Sequence, residues 1–371
     1  MSGTAGRGAF WTLGVNAVRR LVRELPVSAN SVAETSEAAP MYNSSQQSLI
    51  QTVVDTVSHL SEVNDLDVSW WEPANVRHLY PFLPVAWKTF GANLKTLTLT
   101  GSLEGLGQLA SSSTPFVALQ NLNLEFVHNV HSTHDVSDTR ILVDVIAHFV
   151  NGLSPTLQHL SITSWAALEL SSFFSNLHSF PQLRVLIIRV SFNKAFPSEC
   201  TGLSNLLHNH SNTLKSVALR FNPLGLMAQS SSEEPLVHWM TEIAADQLIL
   251  ANLQTLQIYP TLLPGGFDAF LVYLRRSVNT LTLLTVRDRY FSYDEVDRVV
   301  ASLTMPPPDK RLKYLRLNVH NLSARLLDLL ADSFPFLWKL TLIVGEGWTE
   351  SEFGESLSTP VRIHIQSIRF S

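Results

Sequence analysis

At 371 residues, with 45% apolar and 15% charged side chains, the chain is long enough for two or three ordinary domains or one extended core. A formal net charge of −5 gives no reason to expect general affinity for nucleic acid. The single cysteine, Cys200, excludes an internal disulfide framework and fits a reducing compartment, and no apolar run approaches the ~18–20 residues of a membrane span.

Residues 1–48 differ in kind from the rest. Up to Arg23 there is no acid, while Arg7, Arg19, Arg20 and Arg23 are basic, and Phe10, Trp11, Val15, Val18, Leu21, Val22 and Leu25 can share one helical face. That composition suits a mitochondrial transit peptide, an amphipathic helix docked on the following domain, or a tail. Residues 28–48, rich in Ser and Ala, read as a linker. A domain spanning 49–371 then opens on a helix pattern from Leu49 to Leu60, its N-terminal cap. Pro73 to Phe90 carries a cluster of prolines and aromatics, which together with Trp70 and Trp71 reads as core rather than as a partner anchor.

From residue 63 one pattern governs the chain. Ten hexamers of the form L-x-x-L-x-L, with aliphatic swaps, begin at Val63, Leu94, Leu119, Leu157, Leu183, Leu214, Leu253, Leu281, Leu312 and Leu337. Positions four and six are apolar with one residue between them, the period of a strand with one buried face, and position one turns into the same core. A lone strand cannot bury these side chains; stacked in parallel about 4.8 Å apart, the strands share one continuous core. The predicted fold class is therefore α/β: a leucine-rich-repeat solenoid of about ten irregular repeats, a curved parallel sheet on the concave face and helices on the convex face. Most spacings exceed the roughly 20–29 residues usual for such repeats, so the convex segments are long. Only Asn222 stands where an internal Asn ladder would need it, which predicts an irregular arc.

Between hexamers the helix signals recur. Asp138 can cap a helix over 141–150 with Gly152 as its stop, and similar patterns lie at 171–177, 202–208, 267–276, 293–303 and 323–330. Ser230-Ser231-Ser232-Glu233-Glu234-Pro235 opens another, running to about Asp246. Met305-Pro306-Pro307-Pro308 ends its helix in an extended elbow. Val361–Gln366 alternates apolar and polar and predicts a last strand closing the sheet, where Arg362 and His364 discourage edge pairing.

Chemistry-bearing motifs are sparse. The phosphate-binding G-x-x-x-x-G-K-[ST], the dinucleotide G-x-G-x-x-G, the nucleophile elbow G-x-S-x-G and the zinc-binding H-E-x-x-H do not occur, so no enzyme and no cofactor are expected. His128, His131 and His134 with Asp135 form an unusual cluster, but three-residue spacing on a loop does not preorganise a zinc site, and a solvated loop is the reading. His208 and His210 are weaker candidates. Three N-x-[ST] triplets, at Asn43, Asn209 and Asn321, are expected by chance. The hexamers fix what faces the hollow: positions three, five and seven. In the first three repeats these include Asp65, Asp67, Asn121, Asn123 and Glu125; later, position seven gives Arg189, Arg220, Tyr259 and Arg287, with Arg316 and Lys339 nearby. Arg189, Arg220, Tyr259, Arg287 and Arg316 are the candidate partner-binding residues, since fixed guanidinium groups on a rigid sheet suit carboxylate or phosphate; the alternative is that they keep the sheet soluble.

Hexamers such as Leu157–Ile162 and Leu253–Ile258 resemble the ribonuclease-inhibitor-like leucine-rich-repeat superfamily, over about residues 49–371. The Pro-led versions at Pro155, Pro181 and Pro335 are similar to those of fungal F-box/leucine-rich-repeat proteins. The resemblance implies a non-enzymatic interaction scaffold, with repeats that hold a substrate and an F-box that recruits a Skp1-type adaptor for ubiquitin ligation. Arg23-Glu24-Leu25-Pro26 has the Leu-Pro of such a box without the paired helices that follow it. Other expectations of the chain are a mitochondrial scaffold with a cleaved presequence and a regulator of a nucleotide-binding protein; cytoplasm or nucleus is the expected compartment for the scaffold reading.

Overall fold

The computed structural model describes residues 51, 52, 54–69, 82–110, 116–127, 139–164, 170–192, 201–223, 233–304, 312–345 and 361–366. The basic segment at 1–48, Trp70, Trp71, the histidines at 128, 131 and 134, Cys200, Ser230 to Ser232 and the proline elbow at 306–308 lie outside them. Ten hexamers give ten strands: β1 Asp65–Ser69, β2 Thr96–Gly101, β3 Asn121–Phe126, β4 His159–Ser164, β5 Val185–Phe192, β6 Ser216–Pro223, β7 Thr255–Ile258, β8 Leu283–Phe291, β9 Tyr314–Val319 and β10 Lys339–Val344. They lie in one sheet in chain order, each parallel to its neighbours. An eleventh strand, β11 Val361–Gln366, pairs antiparallel with β10. The molecule is a leucine-rich-repeat solenoid.

Burial follows the hexamer. From β2 to β10 the side chains at positions four and six, from Leu97 and Leu99 to Leu340 and Leu342, are at most 2% exposed. Position one joins them, from Leu94 at 0% to Leu312 at 6%. In β1 the same positions, Val63, Leu66 and Val68, are half-buried, because this strand has a neighbour on one side alone.

Register is held by the backbone at position two. The carbonyl of Asn64 accepts the N–H groups of both Lys95 and Thr96, and the Lys95 carbonyl accepts those of Gln120 and Asn121. The relay continues through Gln120, Gln158, Arg184, Lys215, Gln254, Thr282 and Lys313 to Trp338 and Lys339. This forked ladder links all ten repeats without an Asn spine.

On the other side of the sheet, helices alternate with the strands: α1 Phe82–Phe90, α2 Leu103–Ala110, α3 His148–Gly152, α4 Ser171–Ser175, α5 Thr201–Asn209, α6 Glu234–Ala245, α7 Pro264–Ser277, α8 Tyr293–Thr304 and α9 Ala324–Ser333. The described end of the aromatic stretch, 83–90, is core: α1 buries Leu83, Ala86, Trp87 and Phe90, and Trp87 meets Phe116 edge-on at 5.2 Å, while 70–81 lie outside the described residues. The helix expected over 141–150 is a π-helix over Ile141–Ala147, set between α-helical residues 139–140 and α3. Neighbouring helices are tied by side chains that satisfy the ends of the one before. The Arg276 guanidinium of α7 donates to the carbonyls of Ile243, Ala244 and Asp246 at the end of α6, and Tyr273 donates to Met240 O, where burial pushes its phenol up.

His210 does the same between α5 and the preceding repeat. Its Nε2 accepts the Phe180 N–H at 2.7 Å and its Nδ1 donates to Leu206 O at 2.7 Å, which fixes the neutral tautomer. Burial lowers its pKa from 6.5, opposed by the Leu206 carbonyl. The unfolded chain therefore takes up a proton below about pH 6.5 that the fold refuses, so stability is level above that pH and falls below it. We expect urea midpoints of the wild type to drop at up to about 1.4 kcal/mol per pH unit per such histidine, and less steeply in His210→Asn. Identical slopes in the two proteins would remove this role.

Candidate functional site

Alternation along each strand sends positions three, five and seven to the hollow, and the parallel register lines them into rows. The first three strands carry a polar, partly acidic lattice. Asn121 Nδ2 donates to Thr96 Oγ1 at 3.2 Å, Asn123 Nδ2 to Thr98 Oγ1 at 3.0 Å, and Thr100 Oγ1 to Glu125 Oε2 at 3.4 Å. Asp65 and Asp67 complete its outer edge on β1.

From the fourth hexamer to the tenth the sign changes. At positions three, five and seven stand Arg189, Arg220, Arg287, Arg316 and Lys339, with Arg184, Lys215 and Lys313 just before the strands at position two, and no Asp or Glu at any of these places. Asp288 lies in a bulge of β8, outside them. In a chain of net charge −5 such segregation puts a positive field over one half of the concave face and leaves the acids to the helices and the first repeats.

The expected single row of cations is split into two groups. Arg189 is exposed and in register with Arg220 on β6 and Thr163 on β4. Like charges directly opposite one another repel across a sheet. Tyr259 is 3% exposed with its hydroxyl donated to the half-buried Glu233, so it is not offered to the hollow. Arg287 falls in a bulge: Thr285 pairs with Arg316 and Tyr290 with Asn318, so residues 286–289 stand opposite Leu317 alone. Arg316, at the fifth position of its hexamer, lies in the row below, between Thr285 and Thr341, which are 5% and 2% exposed.

The bulge carries residues that the hexamer pattern did not single out. Arg289, 6% exposed, donates to Thr261 O and pairs with Glu295, and its guanidinium lies 4.8 Å from the Phe267 ring and 5.3 Å from that of Phe291. Glu295 also accepts the Ser292 N–H at 2.9 Å, while its own N–H donates to Ser292 Oγ at 3.3 Å, a capping box at the start of α8. Burial pushes Glu295 up, but the Ser292 N–H and Arg289 outweigh it and hold the carboxyl below its ordinary 4.5. Across the turn after β7, Glu233 accepts the Leu262 N–H at 2.6 Å. Between these two anchors Thr261 is held at φ 63°, a left-handed backbone that β-branched residues avoid at a cost of about 1–3 kcal/mol.

Three further residues on the face matter electrostatically. His159, half-buried, has its pKa lowered by burial and then by Arg189, and its Nε2 has no hydrogen-bond partner. On β9, Arg316 Nε and Asn318 Oδ1 are both buried without a partner. Each such group costs about 1–3 kcal/mol, so the fold keeps them against its own stability. A period-two reading places Asn318 on this face, but nothing local marks it as unsatisfied.

Among the described residues no three His, Cys, Asp or Glu side chains come together in a way that could hold a metal ion; His208 is instead paired with Asp246 at 2.6 Å. No described helix is long and apolar enough to cross a membrane. No protein-family model matches the chain, and no curated protein aligns with it.

Proposed function

We propose that the protein is a non-enzymatic interaction scaffold whose concave sheet, from β4 to β10, receives an acidic or phosphorylated segment of a partner protein. The observation that carries this reading is that positions three, five and seven of the fourth to tenth hexamers hold no Asp or Glu and carry Arg189, Arg220, Arg287, Arg316 and Lys339. The parallel ladder fixes the strands that carry them, so little order has to be gained on binding, and guanidinium groups match carboxylate and phosphate oxygens in pairs.

Charge reversal at the registered pair tests it. In Arg189→Glu with Arg220→Glu, partners recovered by affinity purification of the tagged full chain fall by at least about tenfold, the scale of losing close charge pairs at an interface. Circular dichroism and the urea midpoint stay at wild-type values. The wild-type complex also weakens as salt is raised. Equal recovery by the double variant, at equal fold content, would sink the reading. A Skp1-type adaptor and a cullin among the charge-dependent partners would narrow it to a substrate receptor of a ubiquitin ligase.

A further inference from the structure

We infer that Trp338 and Phe336 anchor one aromatic or large aliphatic side chain of an acidic peptide, whose neighbouring carboxylates meet Lys313 and Lys339. The inference rests on the proposed function and adds the apolar residue that the partner segment carries at the β10 end of the face. The two aromatics flank Leu337, which is 2% exposed, while Trp338 is 65% and Phe336 60% exposed. Every other Phe or Trp with a described side chain is buried, apart from the half-buried Phe149. The earlier repeats show that the fold does not ask for this display. Position two lends its backbone to the forked ladder; in the first nine hexamers its residue is polar, from Asn64 to Lys313, and never buried. The place before position one holds a polar residue or Ala from Glu62 to Arg311. In the tenth hexamer both places turn aromatic, which adds nothing to the core and lays an apolar patch at the rim of the positive half.

Charge selects the occupant. The Trp338 N–H donates to Lys313 O at 2.8 Å, which sets the two backbones side by side at about 4.8 Å, and Lys313 is exposed. Lys339 follows Trp338 in the chain, with its ammonium 5.4 Å from the Tyr314 ring. An acid within two residues of the anchored side chain therefore comes within reach of a lysine. The backbone is already fixed, since the Leu337 N–H donates to Phe334 O at 3.0 Å and Lys339 pairs with Gln366 of β11, so little order is lost on binding. In area the pair displays roughly 200–300 Å², against about 800 Å² for each partner of a stable protein interface. It thus holds one or two side chains of a peptide rather than a globular face. Single-stranded nucleic acid could use the same rings and lysines, but a chain of net charge −5 favours it less.

Arrays of dodecapeptides with randomised flanks and a central Glu-Phe-Glu, Glu-Ala-Glu or Gln-Phe-Gln test this with the purified full chain. The wild type retains Glu-Phe-Glu at least about tenfold over Glu-Ala-Glu, the scale of a tryptophan hot spot, and at least about threefold over Gln-Phe-Gln. Trp338→Ser with Phe336→Ser abolishes the preference for Phe and leaves that for Glu, while Lys313→Gln lowers the preference for Glu and leaves that for Phe. Both variants keep the wild-type urea midpoint, whereas aromatics that served the fold would lower it. An undiminished Phe preference in the double-serine variant, equal retention of Glu-Ala-Glu by the wild type, or retention of no peptide overturns the anchor. Removing residues 367–371 leaves retention unchanged; a rise of about tenfold or more would assign the patch to this chain's own end and overturn the partner. Single-stranded oligothymidylate or phosphatidylserine vesicles bound in place of peptide, and released by the double-serine variant, overturn it as well. If the wild type prefers Glu but not Phe, and Arg189→Glu with Arg220→Glu removes that preference, the anchor falls and the broader face stands; preference for neither ends both.

Discussion

Replacing Arg289 by methionine lowers stability by about 3–5 kcal/mol, because it leaves a partly buried carboxylate and a carbonyl without the cation that holds them. The guanidinium joins two repeats: the Thr261 carbonyl after β7 and the Phe267 ring of one, and Glu295 at the head of α8 and the Phe291 ring of the next. Methionine matches its stem in volume but offers no donor. Thr261 would then keep its positive φ with the Glu233 anchor on one side only. Gly266 packs so closely there that a Cβ would meet Thr261 Oγ1 at 2.1 Å, so the turn cannot relax inward. Hydrogen exchange read repeat by repeat is the suitable measure, since solenoids lose stability locally. Amides of β7 and β8 lose protection first, and Glu295→Gln in the same chain recovers part of it by removing the stranded charge. A loss below about 1 kcal/mol would mean that the cluster is dispensable. The pH sense is set by Glu295: its contribution is full above about pH 4.5 and disappears as acid protonates it below its depressed value.

Gly202→Ala is the second large effect, about 3 kcal/mol destabilising, and its sign separates two kinds of force. Intrinsic propensity favours alanine over glycine in a helix by about 1 kcal/mol. Packing says the reverse: a Cβ on Gly202 would lie 2.4 Å from the Ser175 backbone nitrogen, 2.5 Å from Ser175 Oγ and 2.9 Å from the Phe174 carbonyl carbon. Two of those atoms are main chain and cannot rotate away. Either α5 moves off α4, opening space around Leu203, Leu206 and Leu207, or the strands they cover shift with it. Chemical denaturation of the variant should show the loss; an unchanged or raised midpoint would show that the two helices slide apart at little cost.

Much of this architecture was readable in the residues. Val217, Leu219 and their equivalents at positions four and six lie where period-two alternation puts them, because a strand's two faces are set by neighbours one residue away. Helices with ordinary signals followed: Tyr293 to Leu303 is extended by one residue, and Phe267 to Arg276 by three at the start and one at the end. Less visible were α1 and α2. Pro84, in the first turn of α1, reads as a breaker but costs nothing there, since no intrahelical bond needs its N–H. Within the candidate site, the cations were legible as a row, whereas Asn318 and Arg289 were not.

The hexamer by itself determined that this chain is a stack of parallel strands with a concave face, and which residue types that face displays. Only the tertiary structure decided how they are grouped. Arg287 entered a bulge because β8 and β9 differ in the length needed to pair, a mismatch between strands about thirty residues apart, while Arg316 kept the fifth-position row opposite Thr285. Tyr259 turned to Glu233 and Arg289 went inside because partners from other repeats met them there. Local alternation fixes direction, but burial of a charge depends on what the neighbouring repeat brings to it.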